Sequence, residues 1–469
     1  MNTSYDTLLS EIRALRNEVA SLKAENTQLR EENTRLKEQL NLNSKNSSKP
    51  PSSDKKDSSK IRKKNGAKPG HPGYFRTLFP LDQVDEHVVL KASSCPRCGS
   101  AVRATNEEPS IHQQVEIPEV CRRVTQYERH NFYCPCCRTY GVAPLPVEVG
   151  ASAFGTRLTA FTSFLTGACR LSKRLALQVL HQGFGIKAAV GSASNIEQRV
   201  SIALRVPYEE IETEVRSSRD TKHIGETGWR QWGKTEFLWI MSTKKAALYK
   251  VQAGRSSECR DLLLGNAKWS KAAFVTDRLA LYSFEGLHQY CLAHLKRDLK
   301  RFAERKGLDG EWGGVMLELL DKIFGFWKDF REKRRSRRSL QIGSKRYRDE
   351  FEYGLLLAAK KRRHSMTLQR FAKNLVNKTR KLWVFIEHEG VDPTNNQAER
   401  DLRSSVIWRK LCYGTKSNRG DRFVERIQSV VATLARQGER CLKFLSEAVA
   451  SARKGLAAPK LFQAVCKTG

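Results

Sequence analysis

Two carboxylates stand where metal-dependent chemistry on a phosphate would need them. Asp277 closes the run Ala272-Ala-Phe-Val-Thr-Asp277, a buried-strand pattern ending in an acid. Glu399 lies within Asp392-Pro-Thr-Asn-Asn-Gln-Ala-Glu-Arg-Asp-Leu-Arg403. Pro393 fixes its own φ and biases Asp392 away from the helical region, and Thr394 or Asn395 is placed to cap the helix that follows. On that helix Asn396, Glu399 and Arg403 fall at i, i+3 and i+7 and share a face. Such a face is either a solvated, salt-bridged helix end or a metal-binding carboxylate held by its neighbours. Phosphoryl transfer without a covalent enzyme intermediate uses two hard cations, one activating the attacking oxygen and one stabilising the leaving oxygen. Mg²⁺ takes few protein ligands, mainly carboxylates, and keeps waters for the substrate phosphate. That chemistry calls for a few acids from a first strand, a later strand and a C-terminal helix. Asp277 and Glu399 answer the last two requirements, and neither would be persuasive alone.

Composition says what the partner is. Lys plus Arg number 84 against 50 Asp plus Glu, a formal charge of +34 spread over all 469 residues. Self-repulsion of this size points to a polyanion, with double-stranded DNA ahead of a membrane surface. No apolar run is long enough to span a bilayer and no signal-peptide pattern is visible, so the chain reads as soluble and cytoplasmic, without a membrane partner. Twelve cysteines in such a chain are expected to be reduced or metal-bound. The length implies two to four domains.

The expected class is α+β and multidomain. Over residues 1–42, Leu8, Leu15, Leu22, Leu29 and Leu36 recur every seventh position, with Ile12, Val19, Asn26, Asn33 and Leu40 on the alternate seam. Leu at d with β-branched residues or Asn at a favours a parallel two-stranded coiled coil. Glu11, Glu18, Glu25 and Glu32 face Arg16, Lys23, Arg30 and Lys37 across it, so residues 8–40 are expected to make a homodimer. A monomeric amphipathic helix is the alternative. Residues 43–75, rich in Ser, Lys, Pro and Gly, read as a flexible basic linker. Residues 76–150 hold Cys95-Pro-Arg-Cys98 and Cys134-Pro-Cys-Cys137 among strand-like runs at 86–90, 113–117 and 124–133. Two Cys-x-x-Cys knuckles suit a structural Zn²⁺ site in a ribbon-like β domain, with Cys95, Cys98, Cys134 and Cys137 as ligands. Cys136 is an alternative ligand and Cys121 a bystander.

Residues 151–219 look helical, either as a helix-turn-helix that binds DNA or as a plain bundle. Short strands at 222–230, 236–243 and 246–253 then form a meander. A helix at 258–264, the strand ending in Asp277, another strand at 289–294 and the helix carrying Glu399 complete the order of a ribonuclease-H-like core over 220–445. A basic helical insertion at about 305–391 separates the two acids, long helices continue from Ala398 to about Lys454, and 446–469 is set apart as a C-terminal tail.

Glu226-Thr-Gly-Trp-Arg, Val275-Thr-Asp277, Tyr290-Cys-Leu-Ala-His294 and Asn395-Asn-Gln-Ala-Glu-Arg-Asp-Leu-Arg403 together resemble transposases of the bacterial insertion-sequence sixty-six family. The Asn46-Ser-Ser-Lys-Pro-Pro-Ser linker and the Gly70-His-Pro-Gly73 segment add to the resemblance, which covers nearly the whole chain. It implies a DDE-type catalytic core that cleaves the ends of its element and transfers strands. The DNA partners would be the terminal repeats and a target, in the bacterial cytoplasm at the nucleoid, with accessory proteins as further partners. It implies Mg²⁺ (or Mn²⁺) at Asp277 and Glu399, with Asn396, Arg400, Arg403 and His294 supporting the site or contacting phosphate. The family pattern opens its first strand with Asp-Glu-Thr, whereas this chain has Gly225-Glu226-Thr227. Strand alternation turns Glu226 to the opposite side, unless a one-residue bulge re-aims it. The expectation is therefore a complete scaffold with an incomplete metal site. Glu226 is the candidate substitute, and an inactive, DNA-binding descendant is the alternative.

Overall fold

The computed structural model describes residues 2–43, 46–47, 54, 77–103, 105, 108–117, 122–150, 152–265, 267, 271–282, 286–360 and 363–462. Nearly all of the expected linker, with Gly70-His-Pro-Gly73, and Cys121 lie outside these residues. The chain divides into two compact units, one of residues 1–55 and 125–469 and one of residues 56–124. The boundary falls inside the expected 76–150 domain.

In the smaller unit an isolated bridge between Ser94 and Ala101 closes the Cys95–Cys98 knuckle. The Cys95 N–H donates to Ser100 O and the Gly99 N–H to Cys95 O, both at 2.8 Å. The strands expected at 86–90 and 113–117 are absent among the described residues. Val88, Val89, Leu90, Val115 and Ile117 are all exposed. β-Prone residues become strand only where a neighbour supplies a ladder and burial, and that is missing here. Gln113 instead bonds both backbone groups of Phe79, at 2.8 Å each.

The larger unit begins with α1 (Asn2–Asn41), a single helix. Its heptad positions Leu8, Leu15, Leu22, Leu29 and Leu36 are all exposed. Its C-terminal end is fastened to the body: Glu38 pairs with Arg305, and Asn46 Nδ2 donates to Glu304 Oε2 at 2.6 Å. A short hairpin follows, β1 (Asn131–Cys134) and β2 (Thr139–Val142). Then come α2 (Thr156–Ser163), α3 (Lys173–Phe184), α4 (Val190–Ala203) and α5 (Arg205–Ser217).

The sheet contains β3 (Lys222–Gln231), β4 (Lys234–Ser242), β5 (Ala247–Gln252), β6 (Phe274–Thr276) and β7 (His288–Tyr290), with α6 (Ser257–Leu264) between β5 and β6. Its order is β5-β4-β3-β6-β7. β3, β4 and β5 form the expected antiparallel meander, while β6 runs parallel to β3 and β7 parallel to β6. The β3–β4 register is one-to-one from His223↔Ser242 to Gln231↔Lys234, so no bulge interrupts β3. Beyond β7 come α7 (Leu292–Ala303), α8 (Leu308–Arg331), α9 (Arg337–Lys360), α10 (Met366–Val376) and α11 (Val384–Glu387). The chain then returns with α12 (Asn396–Cys412), α13 (Asn418–Gln437) and α14 (Cys441–Lys454).

Two hydrophobic cores meet at the sheet. The first joins the meander with α4, α5, α12, α13 and α14, and the second joins β7 and α7 with the helices of the insertion. β6 is their common wall: Phe274 belongs to the first core and Val275 to the second, as side-chain alternation along a strand requires. α13 seals the free edge of β5. Glu425 Oε1, Ser429 Oγ and Thr433 Oγ1, four residues apart on one helix face, accept the N–H groups of Val251, Tyr249 and Ala247 at 2.8, 2.9 and 3.2 Å. An edge strand's open donors are thus satisfied by a helix.

Two expectations need correction. The 151–219 helices do not stand apart, because Ala160, Val200, Leu204 and Ile211 share a core with the sheet. The expected boundary at 445 falls inside α14, which ends at Lys454, the expected end of the long helices, and buries Phe444, Leu445, Ala448 and Val449. Part of the basic run in the insertion also has internal work: Arg337 donates to the carbonyls of Phe385, Ile386 and His388, and Arg334 pairs with Asp329 and Glu332. Among the described residues no helix is long and apolar enough to cross a membrane.

Candidate active site

The two faces of β3 carry different halves of the site. A Cβ on Gly225 would meet Leu402 Cδ1 at 3.2 Å and Ala398 Cβ at 3.4 Å, so this position points at α12. Glu226 points the other way. Arg255 donates to its Oε1 and the Tyr282 hydroxyl to its Oε2, and its side chain is 4% exposed. Without a bulge the alternation expected from sequence holds. Asp277 is nevertheless close to Glu226 electrostatically, because β6 stops at Thr276 and the chain turns. Asp277 Oδ1 accepts the Leu279 N–H at 3.1 Å. Burial, opposed by that hydrogen bond and reinforced by the Glu226 charge, pushes the Asp277 carboxyl up to about 6. Burial and the same two acids raise the Tyr282 phenol, which keeps the proton it donates.

The β7–α7 junction is the hub that holds the remaining parts. The Cys291 N–H donates to Thr276 O, the residue before Asp277, and the Leu292 N–H donates to Pro393 O, both at 2.8 Å. Cys291 Sγ in turn accepts the Asn395 N–H at 3.1 Å. Two consecutive residues therefore tie the end of β6 to the start of α12. Asn395 occupies the N-cap position of α12, but its side chain makes no capping bond. It crosses to β3 instead, where Nδ2 donates to Ile224 O at 2.6 Å and Oδ1 contacts His223 Nδ1 at 3.2 Å. This corrects the expected cap. A buried amide that links two elements satisfies more polar groups than one that turns back on its own helix.

Glu399, in the first turn of α12, faces α7. Its Oε1 is 3.7 Å from His294 Nε2 and its Oε2 is 3.7 Å from Arg297. Cys291, His294 and Glu399 each present a ligand atom within 4.8 Å of the other two, and among the described residues this is the one such group of three or more. Asp277 is not part of it. Burial, with the positive charges of Arg297 and Arg278, lowers the His294 imidazole to about 4, so it is neutral at pH 7. Asn396 and Arg400 line a cleft of about 600 Å³ with Lys328 and Arg331 of α8, and Arg403 is exposed.

Sequence reasoning passed over Cys291, Arg255, Tyr282 and Arg297. Cys291 carried a readable signal, since Cys-x-x-His at a helix start puts both side chains on one face. Arg255 and Tyr282 carried none, because their approach to Glu226 depends on loops. The cysteine knuckles fall in different units, Cys95 and Cys98 in the smaller and Cys134 and Cys137 in the larger. Ser100 and Cys95 pull the Cys98 thiol below its usual value, and Thr139 and Cys134 do the same for Cys137.

The transposase IS66 family model matches residues 171–422, more than half of the chain, including the whole sheet, α12 and both acids. A family of unknown function matches residues 3–77, and no curated protein matches the chain. A transposase of this kind processes nucleic acid, binds DNA and uses a divalent metal. The chain belongs to the IS66 family of transposases.

Proposed function

We propose that the protein is a DDE-type DNA transposase that binds the ends of an insertion sequence and carries out Mg²⁺-dependent cleavage and strand transfer. The observation that carries this reading is the sheet order β5-β4-β3-β6-β7, with Asp277 leaving β6 beside β3 and Glu399 on the helix packed against β3. An antiparallel meander extended by two parallel strands supports a ribonuclease-H-like core.

The residues fit a divalent cation in one respect. Asp277 is held up to about 6 partly by the Glu226 charge. A cation would relieve that repulsion, and oxygen donors suit Mg²⁺. When bound, the metal would supply charge for the attacking and leaving oxygens. Asp277 and Glu399 are the proposed ligands, with Glu226 as the third acid. Arg255 and Tyr282 orient Glu226, while His294 and Arg297 orient Glu399. Arg400, with Lys328 and Arg331 along their cleft, would contact the phosphate backbone, and Arg403 and Asn396 would extend that surface. The Cys95–Cys98 and Cys134–Cys137 knuckles are proposed as structural zinc ligands on their spacing. The exposed heptad stripe of α1 is proposed as a parallel homodimer seam, and the cytoplasmic nucleoid as the working location.

A second reading rests on Gly225. Its Cβ direction leads to Leu402 and Ala398, with no acid at that position, which favours a DNA-binding descendant that does not cut. Mg²⁺-dependent nicking of end-containing DNA decides between them. Activity in the unmodified chain, lost in Glu226→Gln, supports the enzyme. Activity that appears only in Gly225→Asp supports the second reading.

A further inference from the structure

Glu399 keeps company that Mg²⁺ does not explain. A thiol and an imidazole lie within 4.8 Å of its carboxylate, and both ligand types prefer transition metals over Mg²⁺. The arrangement is built from the backbone up. Cys291 is buried at the N-cap of α7, where Thr276 O accepts its N–H and the Asn395 N–H points at its sulfur. Burial raises the Cys291 thiol, and the Asn395 N–H offsets part of that rise. His294 follows three residues later on the same helix face. Its Nδ1 is buried and has no hydrogen-bond partner among the described residues, and a buried polar nitrogen left unmatched is costly. Glu399 comes from α12 with Oε1 toward His294, while Oε2 faces Arg297.

We propose that Cys291, His294 and Glu399 form a three-ligand site for a transition-metal dication, zinc by its donor chemistry, with a fourth position open. Sulfur, imidazole and carboxylate are all zinc ligands at about 2.0–2.3 Å. The three donor atoms lie within 4.8 Å of one another, close enough to share one ion. The metal would lock the α7 start to the first turn of α12. That is the joint on which the positions of both Asp277 and Glu399 depend. Glu399 would present Oε1 to this ion and keep Oε2 for the catalytic role. The site shares Glu399 and His294 with the catalytic reading, but Cys291 has no part in that reading and zinc content does not depend on DNA cleavage.

The test is zinc content per folded chain of the full-length protein, measured after dialysis against metal-free buffer. The unmodified chain is compared with Cys291→Ala, with Glu399→Gln, and with the knuckle variant Cys95→Ser/Cys137→Ser. The expected result is a loss of one zinc in Cys291→Ala, additional to any loss in the knuckle variant. Glu399→Gln, an exposed change that spares the core, should bind this zinc at least about tenfold more weakly. In cobalt-substituted protein, the thiolate-to-cobalt absorption should fall in Cys291→Ala. Circular dichroism verifies that each variant is folded. If Cys291→Ala fails to fold, the Glu399→Gln affinity and the cobalt spectrum of the unmodified chain decide. Equal zinc in the unmodified chain, Cys291→Ala and Glu399→Gln overturns the site, as does a knuckle variant with no zinc and no thiolate–cobalt band. A failed DNA-nicking assay with intact zinc stoichiometry would count against the catalytic reading and leave this site standing.

Discussion

Asp277→Asn separates the cost of a buried acid from its use. The carboxyl is raised from its usual 3.8 to about 6, chiefly by burial and then by Glu226. A rise of that size corresponds to about 3 kcal/mol in favour of the protonated form. Because the folded-state value is the higher one, this stability is fully present below pH 4. It is lost as pH rises through 6, where the folded protein must give up a proton that the unfolded chain has already released. Asparagine keeps the oxygen that accepts the Leu279 N–H and carries no charge. At pH 8 without divalent metal, Asp277→Asn should therefore be more stable than the unmodified chain by about 2–3 kcal/mol. The gap should close as pH falls from 7 to 4. Urea unfolding followed by circular dichroism at half-unit pH steps measures it. Adding Mg²⁺ at pH 8 should stabilise the unmodified chain and leave the variant nearly unchanged, while DNA cleavage is lost in the variant. Two parallel stability profiles, or a variant weaker at every pH, would refute the view that Asp277 is a strained acid awaiting a cation.

Two further outcomes are expected. Asn395→Ala removes the bridge to Ile224 O and His223, and should cost about 1–3 kcal/mol in thermal or urea unfolding. It should also lower cleavage more than its stability loss explains, since Glu399 sits one turn further along the helix. Leu22→Lys/Leu29→Lys places charges in the α1 stripe and should convert a dimer to a monomer in sedimentation equilibrium, with the circular dichroism of the remaining fold intact.

Much of the sheet was legible because its physics is local. The meander at 222–253 announced itself by β-rich runs and turn residues, and alternation alone placed Gly225 and Glu226 on opposite faces. The proximity of Asp277 to Glu226 was not legible. It arises because β6 is only three residues long and the acid that follows it escapes the alternation rule. Asn395 was readable as a helix cap from its type and position. Its bond to Ile224 O spans 171 residues, and no local pattern encodes that. The runs at 86–90 and 113–117 had strand propensity without strand neighbours, and propensity yields to the absence of a partner. Glu399 was picked out by its helix face, and the resemblance already placed His294 at the site, but neither pointed to the Cys291 thiol beside them.

The shared wall at β6 has a consequence for how this protein comes apart. Phe274 and Val275 are adjacent residues that answer to different cores. If the helices of the insertion open, Val275 and the β7–α7 junction lose their cover, and the strand that delivers Asp277 keeps only one buried side. Local opening of the insertion would thus dissolve the acid pair before the meander frays. In hydrogen exchange, the amides of Phe274, Cys291 and Leu292 would then report a single opening event. A ligand that held the insertion closed would slow all three together.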